Sequence, residues 1–223
     1  MLINQMRNNV AVLLANKPRL KMAASSLYNE LLSVRNSLAE ALPLLIRPSK
    51  TVIHFALTAN CNQRCTGCRY GRDFMPGNSL SYEMVANAIT DAKKAGFYRF
   101  RLYGGEPLLH PDLNKIVLLC SEMNLNFCVV TNAVILKNRI DQLFESGLRN
   151  ISIGIYGIGK EYDDYVGIPG NFKKVDNSIA AVRDKYNEYF HLQINWLLRR
   201  STCNIESFQR AINFAKRYKM KMQ

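Results

Sequence analysis

The stretch "VIHFALTANCNQRCTGC", residues 52–68, joins a short apolar run to a loop that carries three of the six cysteines of the chain. The run 52–58 is rich in β-branched and aromatic residues and predicts a β-strand. The loop that follows places Cys61, Cys65 and Cys68 within eight positions, and it supplies no fourth cysteine. The sequence therefore predicts a strand that leads directly into a thiol-rich loop.

The rest of the chain repeats the step from a strand to a longer segment. Short β-branched or aromatic runs alternate with segments of helical period, which predicts five βα units in series. The predicted strands are 52–58, 99–103, 126–131, 151–156 and 191–198, and the predicted helices are 81–95, 111–123, 137–146, 171–187 and 204–218. Such a series implies a parallel sheet with right-handed crossovers, as an open doubly wound sheet or as a barrel.

Two of these strands have one apolar and one polar face. In "ISIGIY" (151–156) and "HLQINW" (191–196), apolar residues alternate with mostly polar ones. A parallel strand that is covered by helices on both faces should be apolar on both. A polar face instead indicates a lumen with a ligand, so we predict an α/β fold with a partial (β/α)6-type barrel of parallel strands.

The domain limits follow from the same pattern. Residues 1–50 are predicted to form an N-terminal helical extension, and residues 51–223 are predicted to form the core domain with its five βα units. The sequence ends at "KMKMQ", where a sixth strand is expected. We therefore expect the sixth strand to be missing or incomplete, in a barrel that is incomplete or truncated.

The charge of the chain is concentrated at its two ends. The chain has 30 Lys and Arg against 17 Asp and Glu, a net charge of +13. Seven basic residues face two acidic ones in 1–50, and seven face one in 199–223. Basic residues do not alternate with aromatic ones as they do in single-strand binders, so we do not expect a nucleic-acid partner.

The apolar runs argue against a membrane span. The longest, "VAVLLA" at 10–15 and "ALPLLI" at 41–46, are far shorter than the roughly 18 apolar residues that cross a bilayer. We therefore expect no transmembrane segment and a cytoplasmic protein. Cysteines of a cytoplasmic chain are more often used for metal or redox chemistry than for disulfides.

The three clustered cysteines favour an iron–sulfur cluster over zinc. A structural zinc site usually takes four protein ligands in paired groups, and no second pair exists here. A four-iron cluster held by three cysteines leaves one iron open for a substrate or cofactor. The loop also follows a strand, at the carboxyl end where such folds build their sites. Cys61, Cys65 and Cys68 are the predicted metal ligands, whereas the scattered Cys120, Cys128 and Cys203 are predicted not to be ligands.

Three motifs in this order resemble the radical S-adenosylmethionine superfamily, over about residues 50–220. They are the Cx3Cx2C loop after strand 1, "GGEP" (104–107) after strand 2 and "TNA" (131–133) after strand 3. The segment "YDDYVGIPGNFKKV" (162–175) also looks like the stretch after strand 4 in members that often carry a C-terminal SPASM domain for additional clusters. We therefore expect the core domain of a SPASM-type member.

This resemblance implies a cofactor pair and a reaction. In this family the open iron of a [4Fe-4S] cluster is chelated by the amino and carboxylate groups of S-adenosylmethionine. One electron then splits the sulfonium bond, giving methionine and a 5′-deoxyadenosyl radical that abstracts hydrogen from a substrate. The implied partners are a small-molecule or peptide substrate and a reductant such as flavodoxin or ferredoxin. The residues implied to bind the cofactor are Gly104, Gly105, Glu106, Pro107, Asn132 and Asn195. No catalytic side chain is assigned.

The sequence departs from the family pattern at two places. The position before the third cysteine, commonly aromatic in relatives, is Gly67, so that stacking would have to come from elsewhere, for example from Tyr70. In strand 4, Gly154 stands where relatives often carry serine, and Tyr156 stands where many carry aspartate. Ser152 lies two residues earlier, on the same face of the strand. The usual contact between strand 4 and the cofactor is therefore not expected from the residue at position 154.

Two other classes of function stay open at this point. A non-catalytic iron–sulfur module for electron transfer or sensing would explain the cysteines, but not "GGEP" in register after strand 2. A basic nucleic-acid-binding domain is favoured only by the charge of the two ends.

Overall fold

The computed structural model of the chain describes residues 52–70 and 77–222, together with nine residues between positions 23 and 38. The chain divides into two compact units, Met1–Ser49 and Lys50–Gln223. All nine described residues of the first unit are helical and exposed. The remainder of the predicted helical extension, 1–50, lies outside the described residues.

The second unit is built on one six-stranded parallel sheet, whose strands follow the order of the chain. Each strand pairs in parallel with the next. The predicted α/β fold with a partial barrel of parallel strands is therefore confirmed. The strands are β1 Ile53–Thr58, β2 Arg99–Gly104, β3 Asn126–Thr131, β4 Asn150–Ile155, β5 His191–Trp196 and β6 Lys221–Met222.

The sixth strand is present, but it is only two residues long. It pairs with β5 through Gln193 to Lys221 and Ile194 to Met222. The sequence pattern predicted a missing or incomplete sixth strand at this position, and the observed strand is short.

Helices connect consecutive strands. They are α1 Tyr82–Lys94, α2 Leu113–Glu122, α3 Leu136–Glu145, α4 Lys160–Val166, α5 Asn171–Tyr186 and α6 Ile205–Arg217, with short 3-10 turns at Pro107–Leu109 and Asn187–Tyr189. α4 was not predicted from the sequence. It has only seven residues, and its flanking Gly159 and Gly167 adopt positive φ angles of 65° and 71°, so the segment has the composition of a loop. Among the described residues, no helix is long and apolar enough to cross a membrane.

The core lies on one face of the sheet. Leu102, Val129, Ile153 and Ile194 are fully buried, in the same hydrophobic cluster as residues of α1, α2, α3 and α5. Burying each such side chain contributes about 1.5–3 kcal/mol. Alternate residues of the same strands point to the other, concave face, which is the polar face that the strand pattern predicted.

The fold places the predicted motifs together. In a parallel sheet all carboxyl ends lie at the same edge, and the segments that follow β1, β2 and β3 begin at that edge. These segments are the cysteine loop, the "GGEP" turn and the "TNA" segment.

Candidate active site

The "GGEP" turn is bound to the start of the cysteine loop by main-chain hydrogen bonds. The N–H of Gly105 donates to the carbonyl of Thr58 at 2.7 Å, and the N–H of Glu106 donates to the carbonyl of Asn60 at 2.7 Å. A Cβ at Gly104 would overlap the carbonyl oxygen of Thr58, and one at Gly105 would overlap that of Asn60. The family resemblance implied that both glycines bind the cofactor. In the structure, the main chain at the start of the cysteine loop occupies the space where their Cβ atoms would lie.

The other side of the cysteine loop contacts α4. Arg64 N–H donates to the carbonyl of Val166 at 3.3 Å, and Thr66 N–H donates to that of Tyr165 at 2.8 Å. The loop is therefore supported by the turn after β2 on one side and by the helix after β4 on the other.

The local backbone conformation favours glycine at position 67. The N–H of Cys68 donates to the carbonyl of Cys65 at 3.1 Å, which closes a turn between these two cysteines. Gly67 lies inside this turn with a φ of 83°, in the left-handed region that favours glycine. This conformation disfavours an aromatic residue at position 67.

The three thiols of the loop fit an iron–sulfur cluster in their chemistry. Cys65 is buried, Cys61 and Cys68 are half-buried, and none of the three forms a disulfide. Burial raises the pKa of the Cys61 thiol, and the nearby Cys68 raises it further. Within the described part of the chain, no three His, Cys, Asp or Glu side chains converge on a point that would hold a single metal ion. A four-iron cluster has a different requirement, because each cysteine binds a separate iron atom.

Glu106 connects the "GGEP" turn to the end of β3. Its side chain is 0% exposed. One carboxylate oxygen accepts hydrogen bonds from Leu108 N–H at 2.9 Å and Thr131 Oγ1 at 2.7 Å, and the other accepts one from Asn132 N–H at 2.7 Å. Burial raises the pKa of Glu106 to about 7, against the opposing effect of these hydrogen bonds.

The family resemblance implied that Glu106 binds the cofactor. In the structure, donors of the chain itself surround the carboxylate, because Glu106 caps the 3-10 turn Pro107–Leu109 and lies beside the end of β3. The side chain therefore holds the turn, and the main chain of Gly104 and Gly105 borders the cysteine loop.

Asn132 lies against the first cysteine. It is 7% exposed, and its Nδ2 donates to Asn62 Oδ1 at 2.7 Å and contacts Cys61 Sγ at 3.9 Å. Its Oδ1 accepts a hydrogen bond from Val134 N–H at 3.0 Å, which fixes the direction of the amide. The family resemblance assigned Asn132 to the cofactor, and the structure places its amide donor beside a predicted cluster ligand.

Asn195 lies on the concave face of β5, opposite Gly154 of β4. It is half-buried, and its Oδ1 accepts a hydrogen bond from Gln193 Nε2 at 3.3 Å. Asn195 is thus on the polar face of the barrel, two strands away from Asn132.

The two departures in strand 4 are parts of one feature. A Cβ at Gly154 would lie 2.6 Å from the hydroxyl oxygen of Tyr156, so the Tyr156 side chain occupies the space beside Gly154. A serine at 154 is therefore incompatible with this position of Tyr156. Burial strongly raises the pKa of Tyr156, and the nearby Cys65 raises it further.

Sequence analysis missed an aromatic cluster beside the cysteine loop. Tyr156 stacks on Tyr162 with ring centroids 5.9 Å apart and lies 4.7 Å from the ring of Tyr165. The guanidinium of Arg199 lies 4.4 Å from the Tyr165 ring and donates to the Tyr156 carbonyl. The spacing of Tyr162 and Tyr165 on one face of a helix was the available signal, but α4 itself had not been predicted.

Tyr70, proposed above as a replacement stacking residue, lies beside β2. Its hydroxyl group is 3.4 Å from that of Tyr103, and the two rings meet edge to face with centroids 6.2 Å apart.

The three cysteines outside the loop lie in separate elements. Cys120 lies buried in α2, Cys128 lies half-buried in β3, and Cys203 is exposed before α6.

The comparison with protein families identifies one match. The radical SAM superfamily matches residues 55–198. A probable GTP 3′,8-cyclase of Archaeoglobus fulgidus is 30% identical over 129 residues, which cover 58% of this chain and 43% of the relative. The AdoMet-dependent heme synthase of Methanosarcina barkeri is 29% identical over 168 residues, or 74% of this chain and 47% of the relative. The chain thus spans less than half the length of these relatives.

Solved structures share the fold at low sequence identity. The structure of Streptococcus suis SuiB bound to the precursor peptide SuiA has a TM-score of 0.63 and 15% identity, and the match covers 96% of this chain and 51% of SuiB. The structure of anSMEcpe with bound AdoMet and the Kp18Cys peptide has a TM-score of 0.62 and 16% identity, over 78% of this chain and 50% of that protein. The family match extends from β1 past the end of β5 and includes all three motifs. The chain belongs to the radical SAM superfamily.

Proposed function

We propose that this chain is the core of an enzyme that cleaves S-adenosylmethionine reductively and uses the product radical to abstract hydrogen from a substrate. The observation that carries this proposal is the position of the cysteine loop, which is held between the "GGEP" turn and α4 at the carboxyl edge of the sheet. The alternative, a non-catalytic iron–sulfur module, would not need the turn after β2 to border the cysteines.

The superfamily uses a [4Fe-4S] cluster and S-adenosylmethionine as cofactors. Cys61, Cys65 and Cys68 would hold the cluster through their thiolates. When both cofactors are bound, they supply electron transfer to the sulfonium group and a 5′-deoxyadenosyl radical. The donor set supports this assignment, because three thiols lie on one loop and no carboxylate is among them.

The chain's own residues would prepare the site before any cofactor binds. The Asn132 amide would donate toward the sulfur of Cys61, its neighbour at 3.9 Å, and so stabilise the thiolate form. Glu106 holds the main chain of Asn132 in place through its hydrogen bond of 2.7 Å. Cys61 therefore lies in a prearranged polar environment although burial disfavours its thiolate.

The remaining residues of the predicted cofactor site would act through the main chain and the concave face. Gly104, Gly105 and Pro107 would present main-chain carbonyls to the ammonium group of the methionyl moiety, while Glu106 keeps the turn closed. Asn195, on the polar face of β5, would contact the cofactor or the substrate with its side-chain amide.

The substrate and the partners are proposals that the relatives support only in outline. The relatives are named for reactions of small molecules, GTP and heme, whereas SuiB was crystallised with a precursor peptide. We propose a small-molecule or peptide substrate, a flavodoxin or ferredoxin as the electron donor, and a cytoplasmic location.

Reconstitution separates the two candidate functions. The chain is loaded with iron and sulfide under anaerobic conditions, reduced with dithionite and incubated with S-adenosylmethionine. We expect methionine and 5′-deoxyadenosine in equal amounts, measured by chromatography. A reconstituted protein with four irons that does not cleave S-adenosylmethionine would favour the non-catalytic module.

A further inference from the structure

A cavity of about 320 Å³ opens on the concave face of the sheet, away from the cysteine loop. It lies at the amino halves of the strands, where Arg99 and Arg101 of β2, His191 of β5 and Lys221 of β6 contribute to its lining. Its volume is at the lower end of the range typical of small-molecule sites. None of the contacts assigned above to the cysteines uses this space.

The charged groups that line the cavity are all basic, and they lie beside neutral polar groups and the apolar side chains of Val52, Phe100, Ile151 and Leu192. Two guanidinium groups and one ammonium group are accompanied by the amides of Asn126, Asn150 and Gln193, and no Asp or Glu is among the described residues that line it. Arg99 and Arg101 are two positions apart on one strand, so both side chains are on the same face. Guanidinium pairs of this kind bind phosphate and carboxylate groups through paired hydrogen bonds.

The thiol of Cys128 lines the cavity together with the two arginines. Burial raises the pKa of Cys128, whereas the positive charges of Arg101 and Arg99 and a hydrogen bond with Arg101 lower it. Both guanidinium groups therefore act on the same point inside the cavity. This electrostatic effect agrees with the composition of the lining.

A row of polar side chains leads from the cavity to the carboxyl edge. Gln193 Nε2 donates to Ser152 Oγ at 3.4 Å and to Asn195 Oδ1 at 3.3 Å. Along β2, Arg101 is four residues before Gly105 of the "GGEP" turn, a separation of about 13 Å in an extended strand. A molecule that reaches from the cavity to this edge would thus be about as long as a nucleotide or a short peptide.

We propose that the cavity binds an anionic group, phosphate or carboxylate, of the substrate, and that the rest of the substrate extends along the concave face toward the cysteine loop. The assignment to a substrate rests on the proposed function. The anion site itself rests on the cavity and its charges alone. The substrate class is therefore an anionic small molecule or a peptide that presents a carboxylate.

Binding of inorganic pyrophosphate and of succinate to the full chain tests the site and distinguishes the two anions. Titration calorimetry at low ionic strength should show one saturable site for at least one of the two probes. Pyrophosphate alone would identify a phosphate site, and succinate alone would identify a carboxylate site. No saturable binding of either probe would overturn the proposal.

Two double variants with equal loss of charge localise the binding. Arg99→Gln with Arg101→Gln should weaken the affinity at least about tenfold, because each hydrogen-bonded charge contributes more than a neutral contact. Arg200→Gln with Lys216→Gln removes the same charge from two exposed residues outside the cavity and should change the affinity less than about twofold. Equal losses in both double variants would show unspecific attraction to a basic surface and would refute the site.

Alkylation of Cys128 tests the site in the wild-type protein, so this experiment does not depend on whether a variant folds. The bound probe should slow the alkylation of Cys128 by N-ethylmaleimide, followed by mass spectrometry, while the exposed Cys203 reacts at an unchanged rate. Protection of neither thiol, or of both equally, would contradict binding in the cavity. Protection of Cys128 in a protein that does not cleave S-adenosylmethionine would leave the anion site standing and reject the proposed function.

Discussion

The main-chain N–H of Asn132 donates a hydrogen bond to the Glu106 carboxylate at 2.7 Å, across the carboxyl ends of β2 and β3. The side chain of the same asparagine contacts Cys61. A buried acid in the "GGEP" turn and a cysteine of the predicted cluster site are therefore connected through one residue. Changes at either end should be transmitted to the other.

Removal of the Glu106 carboxylate should destabilise the fold. Glu106→Ala leaves Leu108 N–H, Thr131 Oγ1 and Asn132 N–H without their buried acceptor. Each unsatisfied buried donor costs about 1–3 kcal/mol, and because effects on neighbouring groups do not add fully, we expect a total loss of about 3–5 kcal/mol in the free energy of unfolding. Urea denaturation measures this loss, with Glu122→Ala at an exposed position of α2 as the control. Unchanged stability together with weakened binding of S-adenosylmethionine would contradict this prediction and would show that the Glu106 carboxylate binds the cofactor.

The ionisation of Glu106 should appear in the pH dependence of stability. Burial raises its pKa from 4.5 to about 7, so the folded protein retains a proton that the unfolded chain has lost between these values. The contribution of Glu106 therefore stabilises the fold below about pH 4.5 and is lost as the pH rises through 7. Glu106→Gln removes this titrating group. From pH 5 to pH 8 the wild type should therefore lose stability relative to the variant, as measured by the free energy of unfolding. Parallel pH profiles would contradict the raised pKa.

The three clustered cysteines should act together as cluster ligands. Cys61→Ala, Cys65→Ala and Cys68→Ala should each lose most of the iron and sulfide after anaerobic reconstitution, because a cluster with two protein ligands is poorly held. Cys120→Ala, Cys128→Ala and Cys203→Ala should retain wild-type content. Iron and sulfide analysis with EPR provides the measurement. Stoichiometric zinc in the native protein, or full iron content without all three loop cysteines, would overturn the assignment.

The elements that sequence could predict are those with a local signal. The ten strands and helices of the five βα units follow from periodicity, and their observed bounds agree closely with the predicted ones. α4 was not predicted, because its seven residues lie between glycines, and its contact with the cysteine loop joins segments about 100 positions apart in the sequence. The three motifs were also recognisable, because each is a short contiguous stretch.

The contacts between motifs could not be predicted, because they depend on how strands are staggered. The reason for Gly104 is the carbonyl of Thr58, which is 46 positions earlier in the sequence and becomes its neighbour only in the sheet. Likewise, the donors around Glu106 come partly from β3, and the cavity is lined by residues of five different strands, from β2 to β6. Residue identities indicated a site, and the register of the sheet decides which residues contact each other.

The amide of Asn132 should tune the cluster without holding it. In Asn132→Ala the donor beside Cys61 is lost, and hydrogen bonds to cluster sulfurs raise the reduction potential. We expect unchanged iron content and a more negative midpoint potential, measured by EPR-monitored redox titration. Asn138→Ala, at an exposed position of α3, is the control and should leave the potential unchanged. A loss of iron would instead make Asn132 a structural part of the loop.

The family-like residue at position 154 should be tolerated only when Tyr156 is reduced in size. A Cβ at Gly154 would lie 2.6 Å from the Tyr156 hydroxyl oxygen and 3.0 Å from the ring carbon that bears it, so a serine requires the ring to move. Tyr156 is enclosed by Tyr162 and Tyr165, and overpacking of such a site costs about 1–3 kcal/mol. Gly154→Ser should therefore lower the free energy of unfolding by that amount in the wild-type background.

A double-mutant cycle makes the steric conflict measurable. Tyr156→Ala destabilises the protein by itself, but Gly154→Ser added to it should cost at least about 0.5 kcal/mol less than in the wild type, since the clashing ring is absent. Ser152→Ala, one inward step lower on the same strand, serves as the matched comparison and should show the same cost in both backgrounds. Equal costs of Gly154→Ser with and without Tyr156 would mean that the ring moves freely, and the departure from the family pattern at these two positions would then have two separate causes.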